Sequence, residues 1–147
     1  MYRTSRRMTK QFDDGEIVEY EYLWEWQAQK GRTNAEKGRP VCLAMVVKDS
    51  KQGITHLIIL PISSTQPRPD QDALVIPALE LRRAGLADFK AGWITVSEYN
   101  YDVLERSFYF DPNQKPRGRF SGPFMDQILI RFRRYLREKC GRIDRTK

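Results

Sequence analysis

The residues best suited to chemistry are an arginine and a hydroxyl at the ends of two apolar segments. Arg39 precedes the apolar run 40–47, and Ser63 follows the apolar run 55–62. The segment between the runs, 49–53, is polar and ends in glycine, as in a turn. Two apolar runs joined by a short turn predict a β-hairpin.

The hairpin brings the arginine and the hydroxyl together. With the turn at 49–53, antiparallel pairing places Arg39 opposite Ser63 at the open end of the hairpin. A slip of one or two residues would place Ser64 or Thr65 there instead. In each register a guanidinium lies beside a hydroxyl, which is an arrangement suited to binding a phosphate.

A basic loop precedes the hairpin and would border this phosphate site. Its cations are Lys30, Arg32 and Lys37. The alternative interpretation is a strand-end Arg39 that pairs with a carboxylate, and the sequence leaves both open.

His56 is the only histidine of the chain, yet it does not belong to this site. It precedes Ser63 by seven residues on the same predicted strand, which is roughly 23 Å if the strand is extended. We interpret it as a strand residue near the turn.

Alternating residues predict a half-buried strand over 17–26. One face would carry only apolar and aromatic side chains, whereas glutamates lie on the other: Val18, Tyr20, Tyr22, Trp24 and Trp26. The aromatic face could stack nucleic-acid bases or fill the core of a barrel, and burial preferences favour the core.

The remaining pattern predicts short strands followed by one helix. Strands are expected at 74–76, 93–98 and 107–110, with a brief helix or turn over 77–86. Ser121 is a plausible N-cap for an amphipathic helix that continues to about Lys139. We therefore expect a mostly β protein with a C-terminal helix, built as a small antiparallel barrel over 15–139. A flexible N-terminal tail, 1–14, and a basic C-terminal tail, 140–147, would flank this single domain.

Composition limits the functional classes. The net charge is +7, and from Lys115 onward there are eleven Lys/Arg against three Asp/Glu. This asymmetry suggests a polyanionic partner for one surface. No apolar run predicts a secretory signal or a membrane span, so we expect a cytoplasmic protein. The two cysteines and the single histidine lack the spacing of metal ligands, so we expect no metal site. The sequence contains no nucleotide-binding or hydrolase motif, so we expect no cofactor.

Several segments resemble, in order, the PemK/MazF family of toxin endoribonucleases. Gly38-Arg39-Pro40 before an apolar strand is similar to the family's G-R-P motif. Gly15-Glu16-Ile17-Val18 resembles its opening strand, and Leu60-Pro61-Ile62-Ser63-Ser64 resembles its P-x-[TS]-[ST] strand end. The resemblance covers about residues 15–139.

This resemblance implies a homodimeric SH3-like barrel. It also implies a metal-independent, sequence-specific endoribonuclease that cleaves single-stranded mRNA and is inhibited by an antitoxin protein. In such a reaction the 2′-hydroxyl of RNA attacks the adjacent phosphorus, leaving a 2′,3′-cyclic phosphate and a 5′-hydroxyl end.

The family's functional pair corresponds to Arg39 and Ser63. Arg39 would stabilise charge on the phosphoryl oxygens, and Ser63 would hydrogen-bond the phosphate or the 2′-hydroxyl. Glu98, at a strand end where some members carry an acid, is a candidate for the general base. Ser64 and Thr65 would contact RNA beside this pair.

Three departures from the family bear on activity. Ser63 stands where threonine is commoner, and Val96 stands where some members have a second arginine. The segment 102–122 is longer than usual and rich in basic and aromatic residues. Its Arg117 and Arg119 would supply further RNA contacts, or the segment would block the antitoxin groove. The alternatives are a nucleic-acid-binding barrel without catalysis, for RNA or DNA, and a protein-interaction barrel whose 102–122 segment docks a partner.

Overall fold

The structure is a computed structural model that describes residues 12–32 and 38–147. Its elements, in chain order, are eight strands and three α-helices: β1 (Glu16–Tyr20), α1 (Glu25–Gln29), β2 (Arg39–Asp49), β3 (Ile54–Ser63), β4 (Ala73–Val75), α2 (Ala78–Arg83), β5 (Trp93–Thr95), β6 (Tyr99–Val103), β7 (Gly118–Arg119), α3 (Gly122–Glu138) and β8 (Arg142–Asp144). A single 3₁₀ turn, Leu104–Arg106, follows β6.

The strands form one mostly antiparallel sheet with β3 at its centre. The order is β4-β5-β3-β2-β1-β7, and β6 pairs with both β3 and β8. Residues 56–59 of β3 pair with β6, and its last two residues, Ile62 and Ser63, pair with β5. Only the β6–β8 pairing is parallel among the pairs formed by the described strands. The predicted class, a mostly β protein with a C-terminal helix, is confirmed.

The β2–β3 hairpin contains a bulge that the predicted register lacks. Near the turn Lys48 pairs with Thr55, one residue away from the predicted Ile54. An irregularity between Leu43 and Met45 absorbs this offset, so that Val41 lies opposite Pro61 as the prediction requires.

Both faces of the central strands are covered, which explains their continuous apolar runs. On one face, strand residues pack against α3 through Phe124, Ile128 and Phe132. The other face forms a second buried cluster: Phe12, Val18, Tyr20, Tyr22, Trp24, Val41, Leu43, Leu57, Ile59 and Phe110. Neighbours along a strand, such as Leu60 and Ile59, therefore belong to different cores.

The predicted strand 17–26 ends early. β1 stops at Tyr20, and the chain then begins α1 at Glu25. The backbone leaves the sheet because the side chain of Asn100, rather than a neighbouring strand, pairs with Leu23: Asn100 Oδ1 accepts from Leu23 N at 2.9 Å, and Nδ2 donates to Leu23 O at 2.8 Å. Tyr22 and Trp24 are buried as the period-two pattern predicts, but Leu23 between them is buried as well, so the alternation ends with β1.

The predicted elements after the hairpin hold in part. Strands form at 73–75 and 93–95, and α2 occupies the expected region. The predicted strand at 107–110 is absent, and Tyr99–Val103 forms a strand, β6, that was not predicted. Ser121 is the N-cap of α3, its hydroxyl accepting from Phe124 N at 3.2 Å.

The folded unit extends beyond the predicted boundaries at 15 and 139. Phe12 is buried in the second cluster, and Asp14 Oδ1 accepts from Val46 N at 2.8 Å. At the other end, β8 adds to the sheet and Arg145 is 5% exposed. The last residues therefore pack in the fold rather than forming the predicted basic tail. None of the described helices is both long and apolar enough to cross a bilayer.

Candidate functional site

A cavity of about 260 Å³ lies at the open end of the β2–β3 hairpin. Arg39 and Ser63 both line it, at the first position of β2 and the last position of β3. All three tryptophans of the chain are in its wall. The lining comprises Trp24, Trp26, Arg39, Ser63, Thr65, Gln66, Pro67, Arg68, Gln71, Trp93 and Thr95.

Arg39 lies over an aromatic face. Its guanidinium carbon is 5.2 Å from the centroid of the buried Trp24 ring. A cation over an indole face is attracted by the ring quadrupole, which limits the positions that the guanidinium can take. The arrangement leaves a fixed positive charge on the cavity wall, since an arginine does not deprotonate in proteins.

Ser63 ends β3 and is followed by the loop 64–72, here called the rim loop, which forms one side of the cavity. Its Oγ accepts a hydrogen bond from Thr65 N at 2.9 Å. A hydroxyl that accepts one bond still has its own proton to donate. Thr65 is exposed and lines the cavity, whereas Ser64 is exposed but does not line it.

Two cations besides Arg39 lie near a tryptophan of this cavity, both at the ring of Trp26. Arg68 lies with its guanidinium carbon 4.2 Å from the ring centroid, and Lys30 Nζ is 5.4 Å away. Lys30 follows α1, and Arg68 comes from the loop after β3. Arg68 and Trp93 were not among the predicted site residues. Arg68 sits in the polar stretch Gln66-Pro67-Arg68-Pro69 with no periodicity, so the only signal in the sequence was its charge close to Ser63.

Glu98 lies beside the cavity but does not line it. The carboxylate is 2% exposed, and its oxygens accept from Glu25 N at 2.9 Å, Tyr22 OH at 3.1 Å and Gln71 Nε2 at 3.3 Å. Burial raises the pKa of Glu98 above its ordinary value, although the hydrogen bonds from Glu25, Tyr22 and Gln71 act in the opposite direction. Glu98 lines a smaller neighbouring cavity of about 80 Å³, which shares Trp26, Arg68 and Gln71 with the first.

Gln71 lines both cavities and contacts Glu98. Its amide nitrogen donates to Glu98 while its oxygen accepts from Arg68 N at 2.9 Å. The structure therefore joins Glu98 to the N-terminus of α1 and to the rim loop, and it does not bring Glu98 next to the arginine and the hydroxyl.

The remaining predicted RNA contacts are dispersed. Arg117 pairs with Glu19 at 2.9 Å and donates to Gly85 O at 3.1 Å. Arg119 lies 3.9 Å from Asp13, on the edge strand β7. Neither lines the cavity.

The predicted basic loop is only partly described. Arg32 follows α1 and is exposed but does not line the cavity, and Lys37 lies outside the described residues. Lys30, by contrast, approaches the cavity through its contact with Trp26.

His56 lies at the turn end of the hairpin, as expected. Its Nδ1 is 2.7 Å from Tyr101 OH, and its Nε2 is 4.0 Å from Asp49. Val96, where some members of the resembled family have an arginine, is fully buried in the core beneath α3.

Among residues 12–32 and 38–147, no group of three or more His, Cys, Asp or Glu side chains is placed to hold a metal ion. Cys42 is buried, and Cys140 is exposed. In comparisons with known proteins, no protein-family model, no curated protein and no solved structure matches this chain.

Proposed function

We propose that this protein is a metal-independent endoribonuclease that cleaves single-stranded mRNA at short sequence motifs, in the manner of the PemK/MazF toxins. One observation carries the proposal: Arg39, Ser63 and all three tryptophans line the same cavity. Fixed positive charge, hydroxyls and aromatic rings are together the side chains that bind an unpaired nucleotide and its phosphate.

RNA binding rests on the aromatic and cationic wall. An unpaired base can stack on an indole ring much as it stacks on a neighbouring base. Trp93 and Trp26 are the half-buried rings of the cavity and are available for such a contact. Arg39, Arg68 and Lys30 place positive charge around those rings, where it attracts the phosphate backbone. This binding would weaken as salt rises.

Cleavage uses the RNA's own nucleophile. The 2′-oxygen forms a bond to phosphorus, the bond from phosphorus to the 5′-oxygen breaks, and a cyclic phosphate and a 5′-hydroxyl result. The 2′-hydroxyl proton passes to water, and water protonates the departing oxygen. Arg39 stabilises the charge that develops on the phosphoryl oxygens, and the Ser63 hydroxyl donates a hydrogen bond to one of them. Since Glu98 contacts Gln71 and α1 and does not line the Arg39–Ser63 cavity, we assign it a positioning role for the rim loop and Trp26.

The proposal extends to the assembly. An SH3-like barrel that forms a homodimer and is inhibited by an antitoxin in the cytoplasm fits the order of strands and the surplus of basic residues, since a net charge of +7 favours an acidic partner segment. The long 102–122 segment contributes Phe110 to the second buried cluster, so part of it serves the fold.

The second candidate is a nucleic-acid-binding domain of the same fold without catalysis. The observation that favours it is that no carboxylate or histidine of the described residues lines the Arg39–Ser63 cavity. Such a domain would bind single strands of RNA and DNA equally, because stacking and phosphate contacts do not require a 2′-hydroxyl.

The deciding experiment incubates purified protein with a long single-stranded RNA in excess EDTA. We expect discrete cuts at a shared motif, with 2′,3′-cyclic phosphate ends, that are lost in Arg39→Ala and reduced in Ser63→Ala. The matched control is Arg133→Ala, because Arg133 is an exposed arginine on α3 away from the cavity. If the RNA is bound but stays intact at high protein excess, the protein is a nucleic-acid-binding domain without catalysis. Cuts that persist in Arg39→Ala would contradict the assigned site.

A further inference from the structure

We infer that the protein has a second ligand site, at the turn end of the hairpin, that binds a phosphate joined to an aromatic base. A cavity of about 340 Å³ lies there. Its wall includes Arg106, Arg145, His56, Tyr101, Phe108 and Thr146. The inference does not depend on ribonuclease activity at the Arg39–Ser63 cavity.

The first argument is a buried guanidinium without a counter-ion. Arg145 is 5% exposed, and its Nη1 donates to Glu21 O at 2.6 Å and to Asn100 Oδ1 at 3.2 Å. Both acceptors are neutral, and Arg145 Nη2 has no hydrogen-bond partner. Among the described residues no carboxylate forms an ion pair with Arg145. A buried charge is ordinarily paired, because removing it from water is costly.

The acidic groups at this end are bound to other partners. Glu105 accepts from the backbone and hydroxyl of Thr55, each at 2.7 Å. Asp102 accepts from Tyr20 OH at 2.7 Å and from Ser107 Oγ at 2.6 Å. Asp49 accepts from the backbone N–H groups of Lys51 at 3.1 Å and Gln52 at 3.2 Å, and it lies 4.0 Å from His56. Neither arginine of the cavity, Arg106 or Arg145, forms an ion pair with a carboxylate of the described residues.

The second argument is Arg106. It is exposed, it lines the same cavity, and its side chain forms no ion pair or hydrogen bond with any described residue. Other arginines of the fold are paired: Arg83 with Glu80, Arg117 with Glu19 and Arg131 with Asp72. A free guanidinium fork at the mouth gives a phosphate a charged donor, and the buried guanidinium of Arg145 in the wall adds fixed positive charge beside it.

The third argument is an aromatic side chain that the fold does not use. Phe108 is 91% exposed, and its one ring contact is an edge-on approach to Tyr109 at 6.5 Å. One face of an exposed phenyl ring beside two arginines suits a nucleobase, because base–aromatic stacking is tolerant of sequence. His56 and Tyr101, which share a 2.7 Å hydrogen bond, offer polar groups to the sugar.

The chemistry fits a free nucleotide or the phosphorylated end of a nucleic-acid strand. The test measures binding by titration calorimetry of adenosine 5′-monophosphate, of adenosine, of inorganic phosphate and of a 5′-phosphorylated DNA trinucleotide, which lacks the 2′-hydroxyl needed for cleavage. We expect saturable binding of the mononucleotide, with adenosine and phosphate each weaker. Equal binding by the trinucleotide would identify a strand end, and its failure would identify a free nucleotide.

Two exposed residues give variants that should fold normally. Arg106→Ala should weaken mononucleotide binding about tenfold or more, since it removes a charged hydrogen bond, and Phe108→Ala should weaken it about fivefold or more. Arg106→Lys should restore part of the loss, and Arg133→Ala is the control. No saturable binding, equal losses in Arg133→Ala, or a loss confined to Arg39→Ala would overturn the proposal. The last of these results would place the nucleotide in the Arg39–Ser63 cavity instead.

Discussion

The two ends of the β2–β3 hairpin both set arginines against aromatic rings, but the arginines differ in burial. At the open end, Arg68 is exposed and rests against the ring of Trp26. At the turn end, Arg145 is buried, with its guanidinium carbon 3.7 Å from the centroid of the Tyr109 ring. Its Nη1 is held by a backbone carbonyl and an amide side chain.

We expect exposed cations such as Arg68 to act in ligand recognition and the buried Arg145 to act in stability. A cation on an exposed ring can change partners at low cost, because water solvates it in every position. A guanidinium in the interior is fixed by the groups around it, and disturbing those groups affects the whole fold. We therefore expect the exposed cations of the open end to contribute to ligand contacts, whereas Arg145 contributes mainly to the stability of the fold.

The largest expected effect is on cleavage at the open end. Arg39→Ala should lower the rate of RNA cleavage by about 10² to 10³, comparable to removing one donor that stabilises transition-state charge. The measurement is the single-turnover rate with saturating protein, which separates the chemical step from binding. A rate within threefold of the unaltered protein would remove Arg39 from the chemistry and leave both ends of the hairpin as binding sites.

The next effect is on stability, through the buried polar groups that contact Arg145. Asn100 is fully buried, and its amide satisfies both backbone groups of Leu23. Asn100→Ala should lower the free energy of unfolding by about 3 kcal/mol, because two buried polar groups lose their partners. Urea denaturation monitored by circular dichroism measures it.

The chain offers a matched control for Asn100. Gln114 makes the same pair of bonds to Glu19, with Oε1 accepting from Glu19 N and Nε2 donating to Glu19 O, both at 2.9 Å, but in exposed surroundings. Gln114→Ala should cost less than about 1 kcal/mol, since water replaces the lost partners. Equal losses in the two variants would refute the claim that burial sets the contribution of Asn100 to stability.

A smaller effect is expected on binding at the open end. Trp26→Ala should weaken binding of a single-stranded oligonucleotide by about 1–2 kcal/mol, which is the contribution of one stacked base. Trp26→Phe should retain part of the affinity, and Ile130→Ala, which removes an exposed apolar side chain from α3, should retain all of it. Fluorescence anisotropy at fixed salt provides the comparison. Unchanged binding in Trp26→Ala would mean that the ring serves only to hold Lys30 and Arg68.

The smallest effect is a pH dependence of stability. Because burial raises the pKa of Glu98 in the folded state, the folded protein holds that proton more tightly than the unfolded chain does. The contribution of Glu98 is then most favourable below the ordinary glutamate pKa and is lost as pH rises through the raised pKa. Glu98→Gln should remove this part of the decline. The measurement is the difference in free energy of unfolding between the two proteins from pH 4 to pH 7, and a difference that is constant with pH would contradict it.

The sequence predicted much of the secondary structure because local patterns report which side chains are buried. The hairpin, the helix cap at Ser121 and the burial of Tyr22 and Trp24 followed from spacing alone. The backbone between Tyr20 and Glu25 did not, because its conformation depends on Asn100, which lies far along the chain. β6 was missed for the same reason, since its residues alternate weakly and pair with β3 and β8 on both sides.

The sequence by itself predicted that Arg39 and a hydroxyl at 63–65 lie at the same end of the hairpin, because a short turn and the fixed rise of a strand leave few alternatives for its ends. In the structure Arg39, Ser63 and Thr65 line one cavity. Only the tertiary structure decided that Arg68 and Trp93 join them, that Glu98 stands behind Gln71, and that Arg145 is buried beside Asn100. These contacts join segments that are distant in the chain. They depend on how whole elements pack, and no local period of the sequence records that packing.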